Sequence, residues 1–313
     1  MKLKSLDIGR LSTKNNVFVA PLAGFSDFAF RAICYSLGAG LCFTEMVSAK
    51  GLYYSPAQTA ELLHTTDEEY VKCAQIFGSD PYFMRAACES KYLEKFDIID
   101  INMGCPVPKI YGNGEGSALL NNLPLAEKII SECVKSGKTI TVKTRLGVKR
   151  DEFKAGELAL RAENAGAVMI TVHARYREDF YSGPIDYAAV KSIKESVKIP
   201  VSFNGGLFTQ DDCDTAIVAT GADAVSLARG ALEAPELIST LLSDALPDKK
   251  NLIKRHISLL LEVYPEESVA KYMRKQMALY LKNVRNAKLF KQRVFVATTA
   301  RELFDIVDEA FAK

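Results

Sequence analysis

Ile98-Ile99-Asp100-Ile101-Asn102-Met103-Gly104-Cys105-Pro106 is the stretch from which the rest of this 313-residue chain is read. Its isoleucine-rich start has the composition of a buried strand, and Asn102, Gly104 and Pro106 come where a strand should stop. Cys105 therefore falls at a strand's C-terminal end. Gly112, Gly114 and Gly116 follow it as a loop, and parallel α/β folds carry their chemistry in the loops after strands. A structural role also fits a thiol, because Cys34, Cys42, Cys73, Cys88, Cys133 and Cys213 sit in apolar contexts, where cysteine acts as a small hydrophobe.

Similar apolar runs recur on both sides, at 17–20, 41–44, 71–77, 98–102, 139–144, 168–173, 200–203 and 224–228, with helix-length segments between them. The alternation predicts an α/β fold, an eight-stranded parallel β/α (TIM) barrel. Polar residues cluster at the same end of each run: Pro21-Leu22-Ala23-Gly24, Glu45-Met46, Gln75, Cys105, Lys143 with Arg145, His173 with Arg175, Asn204-Gly205-Gly206 and Arg229-Gly230. A barrel brings all those ends to one face. The glycine loops Gly205-Gly206 and Ala228-Arg229-Gly230 follow the seventh and eighth runs, where such barrels commonly hold a phosphate.

Beyond Ala231 the strand and glycine alternation stops. From about Asp248, apolar residues recur at helical spacing (Ile253, Ile257, Leu260, Leu261; Met273, Met277, Tyr280, Leu281; Leu303, Ile306, Val307), which predicts a small helical core. The expected division is a barrel domain at 1–245 and a helical domain at 246–313.

With 48% hydrophobic and 25% charged residues, the composition is that of an ordinary soluble globular protein. No run of about 18 apolar residues predicts a membrane span, and Met1-Lys2-Leu3-Lys4 lacks a secretion signal's apolar core, so a cytoplasmic protein is expected. Seven cysteines without a C-x-x-C pair and only three histidines predict no metal site. The net charge of +2 hides a segregation: residues 248–313 hold 14 Lys and Arg against 8 Asp and Glu, net +6, leaving net −4 for the rest. Lys271 to Arg293 contains eight cationic side chains and no acid, a pattern expected of a surface that meets a polyanion.

The motifs in order resemble the tRNA-dihydrouridine synthase family of bacterial, FMN-dependent type. The resemblance is carried by Ala20-Pro21-Leu22-Ala23-Gly24-Phe25-Ser26-Asp27 with Arg31, Thr44-Glu45-Met46-Val47-Ser48-Ala49-Lys50, Gln75-Ile76-Phe77-Gly78, Asn102-Met103-Gly104-Cys105-Pro106, Val142-Lys143-Thr144-Arg145-Leu146-Gly147 and His173-Ala174-Arg175. It implies a flavin enzyme that reduces uridines in tRNA to 5,6-dihydrouridine with NADPH or NADH. Pro21, Leu22, Ala23, Gln75, Lys143, His173, Asn204, Gly205, Gly206, Ala228, Arg229 and Gly230 would bind FMN. Cys105 would be the general acid and Asn102 would hold the reacting base. Lys109, Arg145, Arg175 and Arg177 would meet the substrate, and Lys271, Arg274, Lys275, Lys282 and Arg285 would grip tRNA from the helical domain of a monomer. Two positions depart from the family pattern: Tyr176 stands for a Thr and Gly206 for an Asp.

An unperturbed cysteine, pKa about 8.5, is mostly protonated at neutral pH, so Cys105 is read as an acid and not as a nucleophile. Two other functions stay open at this point. One is a dihydroorotate-dehydrogenase-like FMN barrel acting on a free pyrimidine, which gives no reason for the basic segment. The other is a non-catalytic tRNA-binding protein, which leaves Cys105, Lys143 and His173 without a task.

Overall fold

The computed structural model describes residues 2–243 and 247–312; the expected domain boundary at 245/246 lies outside the described residues. The described strands are β1 (Leu6–Ile8), β2 (Leu11–Thr13), β3 (Val17–Val19), β4 (Leu41–Ser48), β5 (Lys72–Phe77), β6 (Ile98–Met103), β7 (Thr139–Arg145), β8 (Ile170–His173), β9 (Val201–Asn204) and β10 (Ala224–Leu227). β3 to β10 are parallel neighbours in chain order, and β10 pairs back to β3 to close the barrel. All eight expected runs become barrel strands.

Alternation along each strand sorts side chains into two shells. On β6, Ile99, Ile101 and Met103 face outward into the core shared with the surrounding helices. Ile98 faces inward, with Phe18, Leu41, Phe43, Cys73, Met169 and Ala224, to fill the lower barrel. Asp100 and Asn102 follow Ile98 at steps of two and share its inward face. The register sets Asn102 beside Lys143 and His173 beside Asn204, so the top of the barrel is a polar ring.

Two features escape the sequence pattern. β4 runs on to Ser48 through an irregularity between Phe43 and Met46, so Glu45 and Met46, expected beyond the strand, lie within it. Such a bulge absorbs extra residues without ending the pairing. The antiparallel hairpin β1–β2 was not foreseen, because two three-residue strands are too short to show periodicity. It covers the lower end of the barrel: buried Leu6 and Ile8 join the interior cluster, and Gly9 sits against Val168 and Thr139 at the bottom of the sheet.

The helices Lys249–Leu261, Glu266–Tyr280, Ala287–Val296 and Ala300–Ala310 build a separate apolar cluster, joined by Phe28 and Ala29 from the helix Phe28–Ser36 after β3. The expected helical core residues are buried there, except Leu261, which lies 37% exposed at a helix end. Polar contacts tie this bundle to the barrel: Arg255 pairs with Glu68, Lys282 with Glu233, and Gln276 Nε2 donates to the Leu232 carbonyl at 3.2 Å. No helix among the described residues is long and apolar enough to cross a membrane.

Candidate active site

The C-terminal ends of the barrel strands surround a cavity of about 410 Å³. All fourteen residues expected to bind the cofactor or act in catalysis line it, from Pro21, Leu22 and Ala23 after β3 to Ala228, Arg229 and Gly230 after β10. The sequence scatters them over more than 200 positions, and barrel closure gathers them at one mouth.

Asn102 sits at the centre. Its Oδ1 accepts the backbone N–H of Gly104 at 3.1 Å and of Cys105 at 2.9 Å, which turns the chain sharply and aims the Cys105 side chain into the cavity. Its Nδ2 donates to Gln75 Oε1 at 2.9 Å. Cys105 is half-buried, whereas the other six cysteines are fully buried, which separates the one candidate thiol from the packing thiols. Burial pushes the Cys105 thiol above its ordinary pKa, against the smaller opposing effects of the Val107 backbone and the Arg145 and Lys143 cations. The group is a protonated thiol at neutral pH.

Lys143 extends from β7 inside the barrel and donates to Asn204 Oδ1 at 3.1 Å. Burial, then the neighbouring Arg145, lowers its pKa to about 8, while Asp100 and Cys105 oppose the shift. It remains largely cationic at pH 7. His173 is driven well below its ordinary pKa by burial and by the Arg145, Lys143, Arg175 and Arg229 cations, so its imidazole is neutral. Arg175 NH1 lies 3.3 Å from His173 Nε2.

The glycine loops are tight. Gly205 has φ +112°, and a Cβ there would lie 2.7 Å from His173 Cδ2. A Cβ on Gly230 would meet the Leu207 carbonyl oxygen at 2.2 Å, a distance no side chain can occupy. Gly206, with φ +71°, packs against Ile185, which lies 3.1 Å from where its Cβ would stand. Tyr176 offers its carbonyl to Arg145 NH1 at 3.1 Å, a contact independent of its side chain.

The expected substrate-binding cations divide. Arg145 faces the cavity, but its guanidinium donates to the carbonyls of Gly104, Tyr176 and Phe180, and it is 2% exposed. It holds loops together and is not free to grip RNA. Arg175 lines the cavity and binds the Gly183 carbonyl at 2.6 Å. Arg177 stacks 3.6 Å over Tyr111 outside the cavity lining, and Lys109 is exposed nearby on the helix Pro108–Gly112. In the helical bundle Lys271, Lys275 and Arg285 are exposed, while Lys282 is paired with Glu233 at 2.6 Å. Arg274 departs from its expected exposed role: it is half-buried, with NH2 donating to the Ala297 carbonyl at 3.2 Å. The acid-free segment is thus not acid-free in space, since Glu233 and Glu309 reach it from other elements.

Two further contributors were missed. Tyr181 lines the mouth with its ring 5.5 Å from the Arg145 guanidinium and 5.6 Å from that of Arg229. Asp100 lies directly beneath the cavity, and its signal was present in the sequence: it stands two residues before Asn102, on the same face of an otherwise apolar strand.

The family model described as dihydrouridine synthase (Dus) matches residues 18–313. The chain belongs to the dihydrouridine synthase family. Within it, the chain is similar to tRNA-dihydrouridine synthase B of Pasteurella multocida, 34% identical over 306 residues that cover 94% of this chain and 92% of that protein. It is also 32% identical to tRNA-dihydrouridine synthase B of Vibrio parahaemolyticus, covering 95% and 96% of the two chains. Solved structures share the barrel at low identity. Histamine dehydrogenase from Rhizobium sp. 4-9 superposes with a TM-score of 0.62 at 15% identity, over 82% of this chain and half of that longer one. The old yellow enzyme homologue of Zymomonas mobilis gives 0.56 at 14%, over 79% and 94%.

As a dihydrouridine synthase, the chain has a cavity that suits a flavin. Its volume lies within the range of about 300 to 1,000 Å³ usual for such ligands. Arg175, Arg229 and the glycine loops line it together, and Lys143 presents a buried cation to the same space. Among the described residues no cluster of three or more His, Cys, Asp or Glu side chains could hold a metal.

Proposed function

We propose that this protein reduces uridine in tRNA to 5,6-dihydrouridine with FMN as its flavin and NADPH or NADH as its reductant, acting as a cytoplasmic monomer. The carrying observation is that Asn102 and half-buried Cys105 share one cavity with Lys143, neutral His173 and two glycine loops. In this reading Pro21 to Ala23, Gln75, Lys143, His173, Asn204 to Gly206 and Ala228 to Gly230 hold FMN, the last two groups around its phosphate. When bound, FMN supplies the hydride for carbon 6 of uracil.

The chain supplies the rest. Lys143 keeps positive charge at Nζ near the ring system, and the Asn102 amide orients the uracil. Cys105 holds a proton at Sγ and gives it to carbon 5 as negative charge develops there. Burial supports the role, since a raised pKa keeps the proton in place until it is needed. A tRNA uridine reaches this depth only when splayed from its stack. Residues 246–313 are read as the tRNA-gripping domain, with exposed Lys271, Lys275 and Arg285 as its phosphate contacts.

The test is reconstitution with FMN and NADPH, an unmodified tRNA transcript, and mass-spectrometric detection of a two-hydrogen gain in one or more uridines. Turnover of dihydroorotate without turnover of tRNA would instead favour the free-pyrimidine reading.

A further inference from the structure

Beneath the cavity, side-chain hydrogen bonds run from β7 through β6 to β5 and back. Thr141 Oγ1 donates to Asp100 Oδ1 at 2.6 Å, Gln75 Nε2 donates to Asp100 Oδ2 at 2.7 Å, and Asn102 Nδ2 donates to Gln75 Oε1 at 2.9 Å. Asn102 Oδ1 then accepts the N–H groups of Gly104 and Cys105. All four side chains are buried, Asp100 completely.

The chain of bonds has one possible polarity. Two backbone N–H groups require an oxygen from Asn102, so its NH₂ must face Gln75. Of the two ends of the Gln75 amide only the oxygen can accept that NH₂, which also lies 3.6 Å from Met46 Sδ, so the Gln75 NH₂ turns downward. There it needs an acceptor held in place, and Asp100 Oδ2, fixed by the Thr141 bond to Oδ1, is one. A carboxylate is costly to bury completely inside the barrel, so its presence calls for a task.

We propose that Asp100 is a positioning residue that, through Gln75, fixes the orientation in which Asn102 is presented to the reacting nucleotide. The proposal rests on the roles assigned above to Asn102 and Gln75. Asp100 supplies that acceptor as an anion: burial raises its pKa to about 6, against the bonds from Thr141 and Gln75 and the Lys143 cation, so it is mainly ionised at pH 7.5. Without that acceptor the Gln75 amide is free to turn. Its NH₂ would then oppose the Asn102 NH₂, and both the base-holding amide and the flavin contact would lose their alignment.

Four variants separate this role from a merely structural one: Asp100→Ala, Asp100→Asn, Gln75→Ala, and Gln75→Ala with Asp100→Ala. Each is assayed at pH 7.5 for kcat and KM on an unmodified tRNA transcript and, independently of turnover, for FMN affinity by fluorescence titration. Asp100→Ala should lower kcat about 10- to 100-fold, the scale for a misaligned reacting group, and weaken FMN measurably, with KM for tRNA little changed. Asp100→Asn can still accept from Gln75 while giving its NH₂ to the Thr141 hydroxyl, so it should stay within about threefold of the parent in kcat. The double variant should match Gln75→Ala in both readouts, because Asp100 has nothing left to act through.

Parent-like kcat and FMN affinity in Asp100→Ala would overturn the proposal. So would multiplying losses in the double variant, or an Asp100→Asn as impaired as Asp100→Ala. Should Asp100→Ala fail to fold, Asp100→Asn combined with Thr141→Val substitutes for it. That pair keeps the shape but frees the Asn amide to turn, so it should lose kcat where Asp100→Asn alone does not, and a parent-like kcat sinks the idea. A parent that neither binds FMN nor modifies tRNA would take the functional reading down with the proposal, whereas an active parent with the wrong variant pattern removes the proposal alone.

Discussion

Lys143 Nζ donates to Asn204 Oδ1 at 3.1 Å, linking β7 to β9 across the intervening β8 inside the barrel. Among the described residues the ammonium has no carboxylate partner within ion-pair distance, and its burial is unfavourable in the flavin-free protein. Its pKa falls from 10.5 to about 8, so between these values the unfolded chain binds more protons and stability rises with pH. Lys143→Met should therefore stabilise the flavin-free protein below pH 8, by about 1 to 2 kcal/mol once the lost Asn204 bond is allowed for, and the difference should shrink toward pH 10. Urea titrations at pH 7 and pH 9.5 check this. A variant less stable than the parent at pH 7 would show that the ammonium is not a burden to the fold. Flavin affinity should fall in the same variant.

Cys105→Ala should leave FMN binding and flavin reduction by NADPH close to normal while slowing dihydrouridine formation about 100-fold or more. The raised thiol pKa adds a pH signature: no loss of the proton donor between pH 6 and pH 8. Single-turnover rates at matched flavin content decide the matter, and an unchanged rate would return Cys105 to a packing role.

Gly230→Ala should weaken FMN and destabilise the protein by about 1 to 3 kcal/mol, because its methyl would collide with the Leu207 backbone. Gly112→Ala has nothing within 4 Å of the added carbon and serves as the control. Thermal melts with and without FMN distinguish the two, and equal melting temperatures would mean that the loop after β10 yields easily.

In the helical bundle the cations should separate by burial. Lys271→Glu with Lys275→Glu should weaken tRNA binding and flatten its salt dependence, by about 0.7 to 0.9 in the log–log slope per lost phosphate contact. Arg274→Glu should mainly lower the melting temperature, since Arg274 holds the Ala297 carbonyl from a half-buried position. Filter binding over a salt series, paired with melts, tests the contrast. If the Lys271 and Lys275 variant keeps the parent's slope, the exposed face is not an RNA contact.

The barrel was legible because its strands are apolar runs with polar punctuation, and the register then follows from closure. Ile98 to Met103 illustrates this: alternation alone sends Asn102 inward and Met103 outward. The hairpin β1–β2 and the extension of β4 past Glu45 were not legible, since short pairings and bulges leave no periodic trace. Arg145 and Arg274 looked like free cations because a sequence does not display backbone carbonyls, the partners both of them found. Arg31, part of the opening motif, likewise has its partners inside the protein: it is fully buried, bonded to Glu69 and to the Ser26 carbonyl at 2.7 Å.

The hairpin at the bottom of the barrel bears on the kinetics of the proposed reaction. With the lower barrel packed by Phe18, Leu41, Phe43 and Met169 and covered by Leu6 and Ile8, the described cavity opens at the C-terminal ends of the strands. Reductant and nucleic acid would then share a single doorway and pass through it in alternation, the first departing before the second arrives. Steady-state velocities plotted in double-reciprocal form against one at several concentrations of the other would give parallel lines, the hallmark of a two-stroke cycle.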